Sequence, residues 1–291
     1  MLAQLLQFLF SGVTVGATYA LAALGFSIIY NASGVINFAQ GEFIMLGGMG
    51  AALMTAHGVP LPLAIVVAVA ATAIAGMLVQ RLAIQPAKNA EVVSLIIITI
   101  GASLFMRGLV QVFVGKGAFA LEPFSGDKPI AVLGATLLPQ SLWVLGVTFV
   151  IVIVLAWFFT RTLQGKAMLA TSFNKLAAQL VGIPTRRVLL ASFGLSAALG
   201  ALGGILIAPI TNTSADIGIM LGLKGFVAAT VGGLGSGVGA IAGGLLLGLV
   251  EALTAGYVSS AYKDAVPFVL ILVVLFFMPR GLFGARLTDR V

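Results

Sequence analysis

Cysteine is absent from this 291-residue sequence, and histidine occurs once, as His57. The first absence excludes disulfides, thiol chemistry and cysteine-bound metal. The second leaves no histidine cluster for a metal, and His57, beside Gly58 and Pro60, reads as a loop residue. Charge is scarce as well. Asp, Glu, Lys and Arg make up 8% of the chain, against about 25% in a soluble domain. No short alternating segments of the outer-membrane barrel kind occur. No basic segment precedes the first apolar run, since the first cation is Arg81, so that run reads as a span and not as a cleavable signal. There is no G-x-x-x-x-G-K-[ST] loop, so no nucleotide site is visible and no cofactor is expected in this chain. The Asp, Glu and His side chains are scattered, unlike the chains of a proton relay.

What remains is oil. Hydrophobic residues form 60% of the sequence, in runs near the ~20 residues that cross a ~30 Å hydrocarbon core. The fold class is an all-α polytopic membrane protein, residues 1–291 forming a single transmembrane domain embedded in the lipid bilayer. Spans are expected at about 5–30, 36–56, 62–82, 91–113, 141–161, 187–208, 237–257 and 265–279. A shorter apolar piece, about 219–233, is too short to cross and predicts a half-helix or re-entrant segment. The formal charge of +7 comes from cations in the connecting segments, which argues for membrane topology and against a nucleic-acid partner. Arg81 and Lys88, then Arg161, Lys166, Lys175, Arg186 and Arg187, then Arg280, Arg286 and Arg290 mark three cytoplasmic segments. The charge-balanced segment 114–140 belongs outside, and so does the N-terminus.

Many of the 37 glycines lie inside the apolar runs. Gly12 and Gly16 form one G-x-x-x-G pair; Gly239 with Gly243, and Gly244 with Gly248, form two overlapping ones. The spacing predicts close helix packing. The glycine-rich stretch 232–253 is a span and not a phosphate loop, because no strand precedes it.

Polar residues inside the oil mark candidate sites. "GVINFAQGEFIMLGG", residues 34–48, holds Asn37, Gln40 and Glu42 within six positions, flanked by glycines. A helix interrupted at membrane depth exposes backbone groups that line a cavity, and transporters place such breaks at their substrate sites. Asn37, Phe38, Gln40, Gly41 and Glu42 are therefore expected along a substrate path, with Asn37 able to cap the following helix; a simple capping box is the plainer alternative. Arg107 lies sixteen residues past Glu91, about 24 Å along a helix, and is expected to snorkel to the outer interface. Glu251, near the outer end of its span, has a similar explanation.

Residues 162–186 are long enough for a helix of their own, ended by Gly182 and Pro184. Leu169, Phe173, Leu176, Ala177 and Leu180 recur at three- and four-residue spacing and give one apolar face, suited either to the membrane surface or to a cytoplasmic partner.

"GATYALAALGFSIIYNASGVINFAQGEFIMLGG" resembles the N-terminal signature of the permease subunits of branched-chain amino acid ABC importers, with Gln40 where that family often has histidine. "GKAMLATSFNKLAAQLVGIPTRRV" is similar to the family's cytoplasmic loop, with Leu169 where arginine is common, and "FVAATVGGLGSGVGAIAGGLLLGLVE" and "MPRGLFG" add to the likeness. The resemblance implies a second related permease subunit, two cytoplasmic ATPase subunits and a periplasmic substrate-binding protein, in a bacterial inner membrane. It implies that the chain itself is not an enzyme. It makes residues 168–182 a coupling helix, with Asn174 and Gly182 among its residues, and places the "NFAQGE" stretch on the path between the two permease chains. Related permeases carry urea, amides or other amino acids, and a solitary secondary transporter is the rival class; the latter needs an ion site at the membrane midplane.

Overall fold

The computed structural model describes residues 2–87 and 90–284, so Lys88, Arg286 and Arg290 lie outside the described residues. Eleven helices and one small hairpin follow in order: α1 (Leu2–Ser33), α2 (Gln40–Ala56), α3 (Leu61–Val79, continued by a π-helical turn Gln80–Ile84), α4 (Val92–Phe113), β1 (Ile130–Val132), β2 (Ala135–Leu137), α5 (Pro139–Arg161), α6 (Leu163–Phe173), α7 (Lys175–Leu180), α8 (Thr185–Thr211), α9 (Ile217–Gly232), α10 (Gly237–Tyr257) and α11 (Val266–Phe277).

Six of these, α1, α3, α4, α5, α8 and α10, are long and apolar enough to cross a membrane. Two of the eight expected spans are shorter helices than the sequence suggested. The expected span at 36–56 is helical only from Gln40, and that at 265–279 only over the 12 residues of Val266–Phe277. Pro267 in the first turn and the non-helical Met278 set the limits of α11. The 16-residue α9 is a third short helix, in the region read as a half-helix.

α2 is short for a reason that bears on the site. Gly34, with φ +73°, ends α1 through a bond from its N–H to Tyr30 O. The chain then runs back along α1 without helical bonds until Gln40, whose amide lies beside Gly25. The backbone there finds other partners: Val35 N donates to Ser33 Oγ, Phe38 N to Thr99 Oγ1 and Ala39 N to Asn37 Oδ1, each at 3.1 Å. Irregular backbone at such depth survives only when it is satisfied in this way.

Burial sorts the helices into two classes. Within its most apolar stretch α1 is 89% buried and α8 72%, whereas α3, α4 and α5 are 22%, 11% and 17% buried. α1 and α8 are therefore the central posts, with α2, α9 and α10 against them. α3, α4 and α5 present leucine, isoleucine, valine and phenylalanine outward, as lipid-facing helices do.

Glycine sets the distances in the centre. Side chains added at Gly12 and Gly16 would meet the α10 backbone at Leu249 and Gly244, each 2.9 Å away, and Gly248 abuts Gly16 in return. Gly244 abuts Ala20, while Gly239 and Gly243 face the other way, onto Gly232 and Ala228 of α9. α10 is thus clasped on two faces. α2 and α8 meet through Gly47 against Ala201 and Gly204 against Ile44 O.

The segment between α4 and α5 carries the hairpin, which turns through Leu133 and Gly134, both at positive φ. Thr136 N donates to Gln7 Oε1 at 2.8 Å, and Phe119 pairs with Thr213 at the end of α8. Both ties close the end of the bundle opposite Arg81, Arg161 and Arg187.

Gly204→Leu is expected to cost about 3 kcal/mol by overpacking the α2–α8 contact. Gly101→Ala, where nothing lies within 4 Å, is expected to stay within about 0.5 kcal/mol of the parent. Unfolding of the two variants in mixed micelles measures both.

Candidate functional site

Glu42 is the third residue of α2 and is 1% exposed. Its Oε1 accepts a hydrogen bond from Ser103 Oγ at 2.8 Å and pairs with the guanidinium of Arg107. Ser103 and Arg107 stand one turn apart on α4 and reach the same oxygen. Oε2 lies beside Gly218 at the start of α9 and has no hydrogen-bond partner among the described residues. The carboxylate therefore sits at the amino ends of two helices, α2 and α9, whose dipoles favour negative charge there. The expectation that Arg107 snorkels outward is corrected. Its side chain turns inward, because an unpaired carboxylate at this depth costs more than an inward guanidinium that meets it.

Gln40 is fully buried. Its Nε2 donates to Ser196 O at 3.1 Å, and Ser196 Oγ lies 2.7 Å from Gln40 Oε1 and 2.8 Å from Gly25 O, two acceptors for one proton. Asn37 is buried with its Nδ2 unpaired among the described residues, and its Oδ1 forms a turn onto Ala39 N, just ahead of α2. Phe38 is half-buried, its ring centroid 5.5 Å from that of Phe226. Gly41 abuts Gly218 and Gly222. Asn37, Gln40, Gly41 and Glu42 are packed inside the chain, where α1, α2, α4, α8 and α9 converge.

A second charged cluster was not foreseen in the sequence. Lys224 of α9, 6% exposed, donates to Glu251 Oε1 at 2.7 Å and to Asp264 Oδ1 at 2.8 Å. Tyr19 Oη donates to Glu251 Oε2 at 2.9 Å. Glu251 is thus a buried partner and not a snorkelling end group. The hydrogen bond from Lys224 holds the Asp264 carboxyl below the usual carboxylate range, against the opposing effect of desolvation. The signal for Lys224 was available: it is a lone cation in the short apolar piece that precedes the helix of Glu251.

The segment 162–186 forms two helices and not one. Thr162 Oγ1 accepts from Gly165 N and starts α6; Asn174 Oδ1 accepts from Ala177 N at 2.9 Å and starts α7. Asn174 breaks the expected single helix because its side chain satisfies the next turn's N–H from an extended backbone. Gly182, with φ +86°, and Pro184 end the segment. Met168 and Ala178 turn into the chain. Phe173, Leu176 and Leu180 are 87%, 73% and 88% exposed, and Ala177 is exposed beside them. Leu169 borders a cleft of about 290 Å³ between α1, α5, α6, α8 and α10, lined also by Leu24, Phe159 and Ile241. Ser27 Oγ lines it without a partner among the described residues. Gly165 fits against Phe158 O, which seats α6 on the end of α5.

A family model described as branched-chain amino acid transport system, permease component, matches residues 8–275. The chain is 36% identical to the high-affinity branched-chain amino acid transport system permease protein LivH of Escherichia coli K12, over 98% of this chain and 97% of that one. It is 32% identical to the permease protein BraD of Pseudomonas aeruginosa, over 98% of each. Among solved structures, PsaBC from Streptococcus pneumoniae in complex with Fab has a chain of the same fold, with TM-score 0.52, 16% identity and coverage of 96% of this chain and 97% of that one.

Removing one member of the Glu42–Arg107 pair leaves a buried charge alone. Glu42→Gln and Arg107→Met are each expected to cost about 3 kcal/mol, and the double variant about 2 kcal/mol less than their sum. A double-mutant cycle of unfolding in lipid bicelles reads the coupling; strict additivity would contradict it.

Proposed function

Because the chain belongs to the family of branched-chain amino acid transport permeases, we propose that it forms one half of the membrane channel of an ATP-driven importer that moves aliphatic amino acids into the cell. It is a multi-pass membrane protein whose relatives are transport subunits. Its place is the bacterial inner membrane, with the C-terminus in the cytoplasm. It pairs there with a second related permease. Two ATPase subunits dock on the cytoplasmic side, and a periplasmic binding protein delivers the amino acid.

The observation that carries this reading is the outward apolar face of α6 and α7. Phe173, Leu176 and Leu180 are large, exposed and free of contacts that would bury them. Such a patch at the basic end of the bundle fits a groove in a partner. The opposite side of α6 holds Met168 and Leu169 against the cleft between α1, α5 and α10. A push on α6 therefore reaches the central helices through packed side chains, and ATP binding in the partner supplies the differential contacts that shift the conformation.

The path runs between this chain and the second permease. On this chain Asn37, Phe38, Gln40, Gly41 and Glu42 face it once α2 moves away from α9, which it meets here through Gly41, Gly218 and Gly222. Opening separates these two helices, and the amides and carboxylate then offer a zwitterion partners in place of water. Weak binding suits the role, since the chain must release its cargo.

Leu176→Glu puts a charge into the docking face. Expected are normal membrane insertion, at least about tenfold less co-purified ATPase and a matching loss of labelled-leucine uptake in reconstituted vesicles. Normal uptake by an inserted variant would contradict the assignment.

A further inference from the structure

At the basic end of the bundle, α3 and α8 leave a concave pocket of about 280 Å³. It is lined by Gln80, Arg81, Gln85, Arg186, Arg187 and Leu190. Three arginines line it, and no acidic residue is among the lining residues. None of the three arginines forms a salt bridge among the described residues.

Positive charge at helix ends is common in membrane proteins. Two features here go beyond it. First, Gln80 is 1% exposed, and both its Nε2 and its Oε1 lack hydrogen-bond partners among the described residues. A buried amide left unpaired is costly, and here it borders a space surrounded by cations. Second, the helix changes pitch at this point. α3 passes into the π-helical turn Gln80–Ile84, which carries Arg81 in its last turn. Turns of this kind often mark functional positions. They shift side chains around the helix, and here the shift brings Gln80 and Arg81 to the face that meets Arg186 and Arg187.

The pocket also borders oil. Leu190 of α8 forms part of the lining. A ligand that fits is an anion with a tail. We propose that this pocket binds the phosphodiester headgroup of an anionic lipid from the leaflet at the basic end, with the three arginines on the phosphate oxygens, the Gln80 amide donating to the headgroup and an acyl chain against Leu190. Basic pockets between membrane helices have the right chemistry for such headgroups. The site is separate from the Glu42 cluster and from the α6–α7 face. It adjoins that face in sequence, because Arg186 follows Pro184 by two residues. A lipid there therefore bears on the root of the docking segment.

The test is native mass spectrometry of the full chain, delipidated in detergent and titrated with phosphatidylglycerol, phosphatidylcholine or inorganic phosphate. The expected result is retention of phosphatidylglycerol over phosphatidylcholine, with retention about tenfold lower in the Arg81→Gln/Arg186→Gln/Arg187→Gln variant. Gln80→Leu, which keeps all the charge, is expected to weaken phosphatidylglycerol retention severalfold without altering the phosphatidylcholine background. Melting temperatures of the variants within a few degrees of the parent establish that they are folded. Three results would overturn the proposal: equal retention of both lipids, equal phosphatidylglycerol retention by parent and triple variant, or displacement of bound phosphatidylglycerol by millimolar inorganic phosphate, which would make the site one for a free anion.

Discussion

A carboxylate held in hydrocarbon has to meet a cation, and the interior of this chain is arranged around two places where that happens. Glu42 takes Arg107 and Ser103 from α4 and the amino ends of α2 and α9. Glu251 takes Lys224 from α9 and Tyr19 from α1, and Lys224 also reaches Asp264 between α10 and α11. Each pair fixes helices that apolar packing alone would let slide, since lipid tails compete equally well for leucine. α9 belongs to both clusters, through Gly218 and Lys224, and so ties the two together. The cost of separating either pair inside the membrane makes the arrangement two-state: paired, or opened to water or substrate.

Glycine makes those pairings geometrically possible. Short side chains such as serine, and even the reach of arginine, span only a small gap between helix axes. The backbone contacts of Gly41 with Gly218 and Gly222, of Gly204 with Ile44, and of Gly16 with Gly244 bring the axes that close. The same contacts have little side-chain interlock, so a small translation along them breaks few large packing interactions. A bundle built this way is tight and still able to rearrange, which suits a permease.

The long spans, the glycine faces of α1 and α10 and the family resemblance were legible in the sequence, because hydropathy and four-residue spacing are local properties. The polarity of Asn37, Gln40 and Glu42 was equally visible. Its partners were not, since Ser103, Arg107 and Ser196 are 61 to 156 residues away. A rule that pairs each intramembrane charge with its opposite would have joined Lys224 to Glu251, which lie on consecutive helices. The hairpin at 130–137 was missed because its strands are three residues each, and the break at Asn174 because a capping side chain competes with helix continuation only in a particular backbone geometry. α2 and α11 fell short of full spans because composition counts apolar residues and not where the backbone leaves the helix.

The central claim is that transport separates α2 from α9 at the buried polar stretch. The chain has no cysteine of its own, so thiols can be placed at will. Met45 on α2 and Ala215 just before α9 belong to one buried cluster. With cysteines at both positions, joined by a short reducible cross-link in the assembled transporter, labelled-leucine uptake is predicted to stop and to return on reduction, while the ATPase stays bound. Full uptake with the cross-link intact would show that the path lies elsewhere.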